Sequence, residues 1–209
     1  MGLTLVAGAA GPALAAAAPR KAAGRAKVVT ILGDSITAGL GLPAAQALPA
    51  QLQAALTRLG ASAVVRGAGV SGDTMAAGAA RVDFSVQADS DLCIVALGGN
   101  DLLQGLDPKP MQASLEHIVK RLKARKIGVL VAGMVAPPVI GHGYARDYDA
   151  VFPAVARAER VALYPNLLAG VGQIVNLTQR DGIHPNAQGV QIIAQRMAPT
   201  VAQALKAHA

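Results

Sequence analysis

Aromatic residues and cysteine are scarce in this chain of 209 residues, which has no Trp, two Phe, three Tyr and one Cys. A core large enough for one domain must therefore be packed from aliphatic side chains, and 53% of the residues are hydrophobic. The single cysteine, Cys93, can form no intramolecular disulfide. Its position in the apolar run Leu92–Leu97 predicts a small buried side chain in a strand. Because nothing nearby would lower its pKa, a catalytic thiol is disfavoured.

The sequence also lacks a long basic run, and no aromatic residues are interleaved with its basic residues, although the formal net charge is +7. This combination argues against nucleic-acid binding and favours solvated surface charge. Attraction to acidic substrates, or weak association with anionic membrane surfaces, stays open. The four histidines are scattered and form no ligand cluster, so the sequence predicts neither a metal site nor another cofactor.

Charge is absent from residues 1–18, which are small and apolar. This stretch is too short and too rich in Gly and Pro for a membrane-spanning helix, which needs roughly 20 apolar residues. The sequence A-L-A at 13–15 and the alanines that follow offer cleavage sites of the A-x-A type. We therefore predict a secretory signal peptide and a periplasmic or secreted protein. No basic residue precedes the apolar run, which leaves a disordered Ala-rich tail as the alternative. Residues 19–26 are predicted as a basic linker, and residues 27–209 as a single domain.

Apolar runs of strand length alternate with helical patterns in the predicted domain, which indicates an α/β fold. The run at 91–97 is apolar almost throughout, which is typical of a strand buried on both faces. Strands are predicted at 28–32, 62–66, 91–97, 127–132 and 161–164, and helices at 48–59, 111–122, 147–160 and from 185 onward.

The first strand ends in Gly33-Asp34-Ser35, and a short helix-compatible segment follows it. Such a strand delivers Ser35 to the carboxyl edge of a sheet, where ligands bind in open α/β folds. The hydroxyl could attack an ester there, while the N–H of the same residue helps to hold the oxyanion. The alternative is that Asp34 or Ser35 only caps a helix.

Two later strands also end in turns that combine glycine with polar residues. Residues 67–74 match the dinucleotide pattern G-x-G-x-x-G, but they follow the second strand and no acidic residue ends the next one, which rejects a dinucleotide site. These glycines instead let the backbone approach a ligand, with the Gly72 N–H directed at the edge that carries Ser35. Gly98 and Gly99 bring Asn100 to the same edge, where its amide would cap a turn or donate an N–H.

Asp181 and His184 lie three residues apart in a turn. At that spacing the carboxylate can accept from one imidazole nitrogen while the other nitrogen faces outward. An isolated pair of this kind is more often an Asx turn before a helix. Residues 133–146 are rich in Gly and Pro and predict a long loop at the same edge. Within this candidate substrate loop we single out Pro137 and Tyr144.

Four segments occur in order, G-D-S, G-x-S-G-D, G-G-N-D and D-G-I-H-P-N, and together they resemble the SGNH or GDSL hydrolase family. The resemblance is closest to its bacterial thioesterase I, lysophospholipase and arylesterase group, and it covers roughly residues 27–205. It implies a three-layer α/β/α sandwich around a five-stranded parallel sheet.

The resemblance also implies the roles of the site residues. Ser35 would be the nucleophile, His184 the general base, and Asp181 the carboxylate that orients His184. The oxyanion hole would consist of the Ser35 N–H, the Gly72 N–H and the Asn100 side chain.

The function implied by the resemblance is hydrolysis of carboxylic esters with aryl or short-to-medium acyl groups through an acyl-enzyme. Acyl thioesters and lysophospholipids are further substrates of this kind. A carbohydrate acetylesterase of the same family is the alternative, and a noncatalytic acyl- or glycan-binding protein is the alternative from another class. The tryptophan expected near Leu48 is missing and the composition of the 133–146 loop differs, so the acyl chain length stays open.

Overall fold

The structure is a computed structural model that describes Gly2, residues 25–61 and residues 63–208. The predicted signal segment, 1–18, lies outside these residues except for Gly2, and only the last two residues of the predicted linker, 19–26, lie within them. No helix in this described part is long and apolar enough to cross a bilayer.

One parallel sheet of five strands, in the order β2-β1-β3-β4-β5, forms the centre of the described chain. Strands β3 and β4 are buried along their whole length, as expected for a sheet with helices on both faces. The predicted five-stranded α/β/α sandwich is therefore confirmed. The strands are β1 (Lys27–Gly33), β2 (Ala63–Gly69), β3 (Leu92–Ala96), β4 (Gly128–Ala132) and β5 (Ala162–Tyr164).

The helices form two layers, with α2 and α7 packed together on one face of the sheet and α3, α5 and α6 on the other. Leu48, Leu52 and Leu56, which recur at helical spacing, are buried in α2, whereas Leu59, directly after its last residue, is exposed. Cys93 is fully buried in β3, and burial raises the pKa of its thiol to about 12, which agrees with a structural role. The helices are α1 (Ser35–Ala38), α2 (Leu48–Arg58), α3 (Met75–Ser85), α4 (Gly99–Leu103), α5 (Pro108–Ala124), α6 (His142–Glu159) and α7 (Ala187–Ala207).

Among the boundaries that differ from the sequence prediction, two lie close to the carboxyl edge of the sheet. Strand β2 continues beyond residue 66 to Gly69, because its last three residues pair in register with Ile31–Gly33 of β1 and this pairing overrides the low strand propensity of glycine. Helix α6 begins at His142, so the loop predicted at 133–146 ends at residue 141. The tertiary contacts of Tyr144, described below, stabilise these first turns of α6 in spite of nearby glycines.

Candidate active site

Ser35 is the first residue of α1, directly beyond the end of β1, and 7% of its surface is exposed. The Asp34 side chain caps this short helix by accepting from the Ile36 N–H at 3.0 Å. From β1 the chain runs outward to β2 and then crosses back to β3 on the other side of β1. The carboxyl ends of β1 and β3 therefore form the topological switch point, which is where open α/β sheets bind ligands.

Ser35, His184 and Asp181 form one continuous chain of hydrogen bonds. Ser35 Oγ lies 2.9 Å from His184 Nε2, and His184 Nδ1 lies 2.6 Å from Asp181 Oδ2. Because an ionised carboxylate can only accept, Nδ1 carries the proton, and Nε2 of the neutral ring is then free to accept the serine proton. The structure thus brings together the three residues that the sequence predicted as nucleophile, base and orienting carboxylate.

The turn between Asp181 and His184 holds the carboxylate in place. Asp181 Oδ1 accepts from the Ile183 N–H at 2.9 Å and from the His184 N–H at 3.0 Å, while Gly182 takes a φ of 70°. The hydrogen bond from His184, followed by these two backbone bonds, lowers the pKa of Asp181 to about 2. The carboxylate therefore remains ionised at any pH at which a histidine base is neutral.

The loop that carries His184 is attached to the segment that directly follows α1. The Gln179 N–H donates to the His184 carbonyl at 2.7 Å, and Gln179 Nε2 donates to the Leu40 carbonyl at 2.8 Å. Ser35 and His184 are 149 residues apart in sequence, so the position of the base relative to the nucleophile depends on contacts of this kind.

Asn100 lies in α4 and lines the same cavity as Ser35 and His184. Its Nδ2 donates one N–H to the Asp73 carbonyl at 2.9 Å, which leaves the second N–H of the amide available to a ligand. The Asn100 amide therefore offers a free N–H donor in the cavity that Ser35 lines, as the predicted oxyanion role requires.

Gly72 lies in a turn in which the Asp73 N–H donates to the Val70 carbonyl at 3.2 Å. Its φ of 89° is the left-handed conformation that the third position of a type II turn requires, and glycine adopts it without strain. The Val70 N–H donates to the Gly33 carbonyl at 3.1 Å, which fixes this turn to the end of β1. Gly72 does not itself line the cavity, and among the described residues its N–H, like that of Ser35, has no hydrogen-bond partner.

A cavity of about 360 Å³ opens beside Ser35 and His184, and its walls are mostly apolar. Pro137 lines this cavity, as the predicted substrate loop requires, but Tyr144 does not. The Tyr144 hydroxyl donates instead to the Leu106 carbonyl at 2.8 Å, and its ring stacks on Tyr148 at 6.2 Å. The structure thus brings Pro137 to the site and leaves Tyr144 outside the cavity lining.

Sequence reasoning missed part of the cavity wall. The segment 166–173 after β5 supplies six of the lining residues, and Leu102 and Leu103 of α4 supply further apolar surface. No motif marks the 166–173 segment, and its only signal was a long stretch without a helical or strand pattern before Asp181.

Metal-binding geometry is absent from the described residues, in which no group of three or more His, Cys, Asp or Glu side chains could hold an ion. The described site consists of a hydrogen-bonded Ser-His-Asp chain, backbone and amide N–H donors, and an apolar cavity. This set of groups can perform nucleophilic acyl transfer with general-base assistance.

Comparison with known proteins gives consistent matches over most of the chain. Esterase TesA of Pseudomonas aeruginosa is 36% identical over 177 residues, which are 84% of this chain and 88% of that protein. The Vibrio mimicus protein named arylesterase is 31% identical over 169 residues, 80% of this chain and 84% of the relative. The Escherichia coli K12 protein named thioesterase 1/protease 1/lysophospholipase L1 is 33% identical over 177 residues, 84% of each chain.

Solved structures agree with these matches. The crystal structure of TesA superposes with a TM-score of 0.80 at 35% identity and covers 85% of this chain and 99% of that one. The SGNH-hydrolase family esterase AlinE4 gives 0.73 at 41% identity, with 88% and 98% covered. The GDSL-like Lipase/Acylhydrolase family matches residues 31–192. The resemblance predicted from the four sequence segments is therefore confirmed, and the chain belongs to the GDSL-like lipase/acylhydrolase family.

Proposed function

We propose that this protein is a serine esterase that hydrolyses carboxylic esters of aryl alcohols and of short to medium acyl chains. The observation that carries the proposal is the Ser35–His184–Asp181 chain, with contacts of 2.9 and 2.6 Å, at the mouth of an apolar cavity. The names esterase, arylesterase and thioesterase/lysophospholipase of the relatives support the same reaction class.

The first half of the reaction forms an acyl-enzyme. Neutral His184 takes the proton of the Ser35 hydroxyl at Nε2 while Oγ attacks the acyl carbonyl carbon. Ionised Asp181 stabilises the imidazolium that forms. The negative charge that develops on the carbonyl oxygen is held by the Ser35 N–H and Gly72 N–H together with the Asn100 amide, the three predicted oxyanion donors.

The second half of the reaction releases both products. The tetrahedral intermediate collapses, the bond from the acyl carbon to the alcohol oxygen or thiol sulfur breaks, and His184 gives its proton to that leaving atom. Water then attacks the acyl-enzyme, with the same imidazole as base, and the free acid leaves as Ser35 regains its proton.

The shape of the cavity supports an acyl chain as the bound group. Its walls are mainly apolar side chains from α4, the 133–141 loop and the 166–173 segment, which suit a hydrocarbon better than an acetylated sugar. The proposal therefore ranks acyl esters above the carbohydrate acetylesterase alternative. It includes acyl thioesters and lysophospholipids as substrates, and it places the enzyme in the periplasm or outside the cell because of the predicted signal peptide.

A panel of aryl esters from acetate to laurate tests the function, with acetylated sugars and an acyl thioester assayed in parallel. Ser35→Ala should lower kcat by on the order of 10⁶-fold, because the nucleophile is lost. Ser114→Ala is the matched control, since the Ser114 hydroxyl donates to the Pro110 carbonyl of its own helix, α5, and the substitution should leave kcat unchanged. A serine-directed organophosphate should label Ser35.

Three outcomes would contradict the proposal. Full activity of Ser35→Ala would exclude this nucleophile. Preference for acetylated sugars over every aryl ester would select the acetylesterase alternative. Tight binding of fatty acids without turnover would identify a noncatalytic binding protein.

A further inference from the structure

One guanidinium group ties together the ends of β1 and β2 and the turn that follows β2. Arg81, on α3, donates from Nη2 to the Gly33 carbonyl at 2.8 Å and from Nη1 to the Ala68 carbonyl at 3.0 Å. Its Nε donates to Asp73 Oδ2 at 2.6 Å, and Nη1 also contacts Ser85 Oγ at 3.0 Å. Only 18% of the Arg81 side chain and 13% of the Asp73 side chain are exposed, so water screens this ion pair little.

Two of these contacts, to Gly33 and to Asp73, lie within two residues of a predicted oxyanion donor. Gly33 precedes Ser35 by two residues, and Asp73 directly follows Gly72. The Asp73 carbonyl is also the acceptor for Asn100 Nδ2, at 2.9 Å. The serine N–H, the glycine N–H and the asparagine amide are therefore all attached, through one or two residues, to the same cation.

We propose that Arg81 is a positioning residue that fixes the three oxyanion donors relative to one another, an inference that rests on the proposed esterase function. The donors belong to three separate segments, which are joined directly by the Val70 N–H bond to the Gly33 carbonyl and by the Asn100 bond to the Asp73 carbonyl. Arg81 adds ionic and hydrogen-bonding contacts that brace the same junction from α3. Arginine suits this task because its planar guanidinium offers five N–H groups in a rigid fork. Lysine, with one rotatable ammonium on a flexible stem, could not hold two carbonyls and a carboxylate in the same geometry.

The expected consequence concerns the transition state. Oxyanion stabilisation depends on donors that are already in place when charge develops, and a misplacement of about 1 Å can cost on the order of 10²-fold in rate. The substrate acyl chain, by contrast, binds along the apolar cavity, which Arg81 does not line. Loss of Arg81 should therefore lower kcat and leave KM almost unchanged.

Arg81→Gln and Arg81→Lys are compared with wild type on a soluble aryl acetate, together with Arg66→Gln as the matched control. Arg66 forms an exposed bidentate pair with Asp89 at 2.7 and 2.8 Å and makes no contact to the site. We expect Arg81→Gln to lower kcat by about 10–100-fold with KM within about twofold, and Arg81→Lys to restore little of the loss. Inhibition by an alkyl boronic acid, which mimics the tetrahedral intermediate, should weaken in parallel with kcat.

Repeating the Arg81→Gln substitution in an Asn100→Ala variant distinguishes a positioning role of Arg81 from a general role in stabilising the fold. In Asn100→Ala, one of the donors that Arg81 positions is already missing, so adding Arg81→Gln should cost about tenfold less than it does in wild type. If Arg81→Gln does not fold, Asp73→Asn removes the ionic contact with an isosteric side chain and is measured in the same way.

The proposal is overturned if kcat is unchanged in Arg81→Gln, if KM rises while kcat holds, or if the loss is equally large in the Asn100→Ala background. Ser35→Ala, measured beside these variants, distinguishes a failure of the proposed esterase function from a failure of the proposed role of Arg81. An active Ser35→Ala would contradict the esterase function itself. An inactive Ser35→Ala together with a fully active Arg81→Gln would contradict only the role of Arg81.

Discussion

The carboxyl group of Asp34, the residue that precedes the serine, is buried, with 2% of the residue exposed. Burial raises its pKa from 3.8 to about 6, although the hydrogen bond from the Ile36 N–H opposes this shift. Between about pH 4 and about pH 6 the native state therefore holds a proton that the unfolded chain has released. Because the native state binds more protons in this window, the free energy of unfolding falls as the pH rises through it and levels off above it.

Asp34→Asn should remove this pH dependence, because the amide does not titrate and still accepts from the Ile36 N–H. Relative to wild type, the variant should gain on the order of 3 kcal/mol of stability between about pH 4 and about pH 7. Urea unfolding at a series of pH values measures the effect, and Asp147→Asn, at an exposed position, is the control. Parallel stability curves for wild type and Asp34→Asn would contradict the prediction.

Asp181→Asn should lower kcat by about 10⁴-fold at neutral pH, because an amide cannot hold His184 in the tautomer that accepts the serine proton. Asp107→Asn is the matched control, since Asp107 caps α5 and asparagine caps a helix equally well. Steady-state kinetics on one aryl ester checks both variants. A rate within tenfold of wild type for Asp181→Asn would show that another group orients the histidine.

The functional residues that could be predicted from the sequence lie in recognisable local patterns, whereas those that were missed depend on contacts with distant parts of the chain. Ser35, Asp181 and His184 stand in short segments whose local pattern already implies a strand end or a turn, and the structure brings them into contact. Arg81 has no such pattern around it, because its importance comes from a carbonyl 48 residues away. Contacts of that kind follow from the packing of α3 on the sheet, which a local pattern does not specify.

Backbone packing at the element scale makes two glycines respond oppositely to the same substitution. A Cβ at Gly69, the last residue of β2, would lie 2.4 Å from the Ala38 nitrogen and 2.7 Å from the Asp34 carbonyl oxygen. A Cβ at Gly143, in the first turn of α6, would meet nothing within 4 Å. The first position therefore requires glycine, while the second only tolerates it.

Gly69→Ala should destabilise the protein by about 1–3 kcal/mol and lower kcat, because the clash pushes α1 and its serine away from β2. Gly143→Ala should stabilise it by a few tenths to about 1 kcal/mol, because alanine is the better helix former. Urea unfolding and kinetics on both variants test the pair, each serving as the other's control. Changes of the same sign would contradict the packing argument.

The position and burial of an element could be predicted where the spacing of its apolar residues defined it. They were harder to predict where tertiary contacts determined where the element begins. The burial of β3 and the leucine face of α2 followed directly from their sequences. The start of α6 did not, because it depends on Tyr144 reaching the carbonyl of Leu106, which belongs to a different part of the chain.

In the described part of the chain, several large exposed apolar side chains lie in the cavity wall or in the segments that adjoin it. Leu103, Val135 and Ile183 line the cavity and are exposed, and Val139 and Val175 are 89% and 85% exposed in the two adjoining loops. No charged residue occurs in residues 133–141 or 166–178, so this rim loses little charge solvation when it meets a lipid surface. Weak association with an anionic membrane surface, which the net charge leaves open, would therefore involve the face that holds the serine.

We predict that the double variant Val139→Ser and Val175→Ser turns over a micellar lysophospholipid several-fold more slowly than wild type, because less apolar area is buried at the micelle. Its kcat/KM on a soluble aryl acetate should not change. Phe84→Ser is the control, since Phe84 is 84% exposed near the far end of α3 and does not line the cavity. Equal losses on both substrates, or none on micelles, would exclude a role for the rim.

The His184 loop is attached to Leu40 through the Gln179 side chain. The rate of turnover should therefore depend on whether this loop is folded in place. The base and the nucleophile stand 149 residues apart, so opening of the loop beyond Thr178 separates them while the sheet stays intact. Local openings of this kind require less free energy than global unfolding. On heating, esterase activity should therefore disappear some degrees before the circular dichroism of the sheet and helices changes. Loss of esterase activity should therefore detect local opening of the His184 loop at temperatures at which circular dichroism still reports a folded protein.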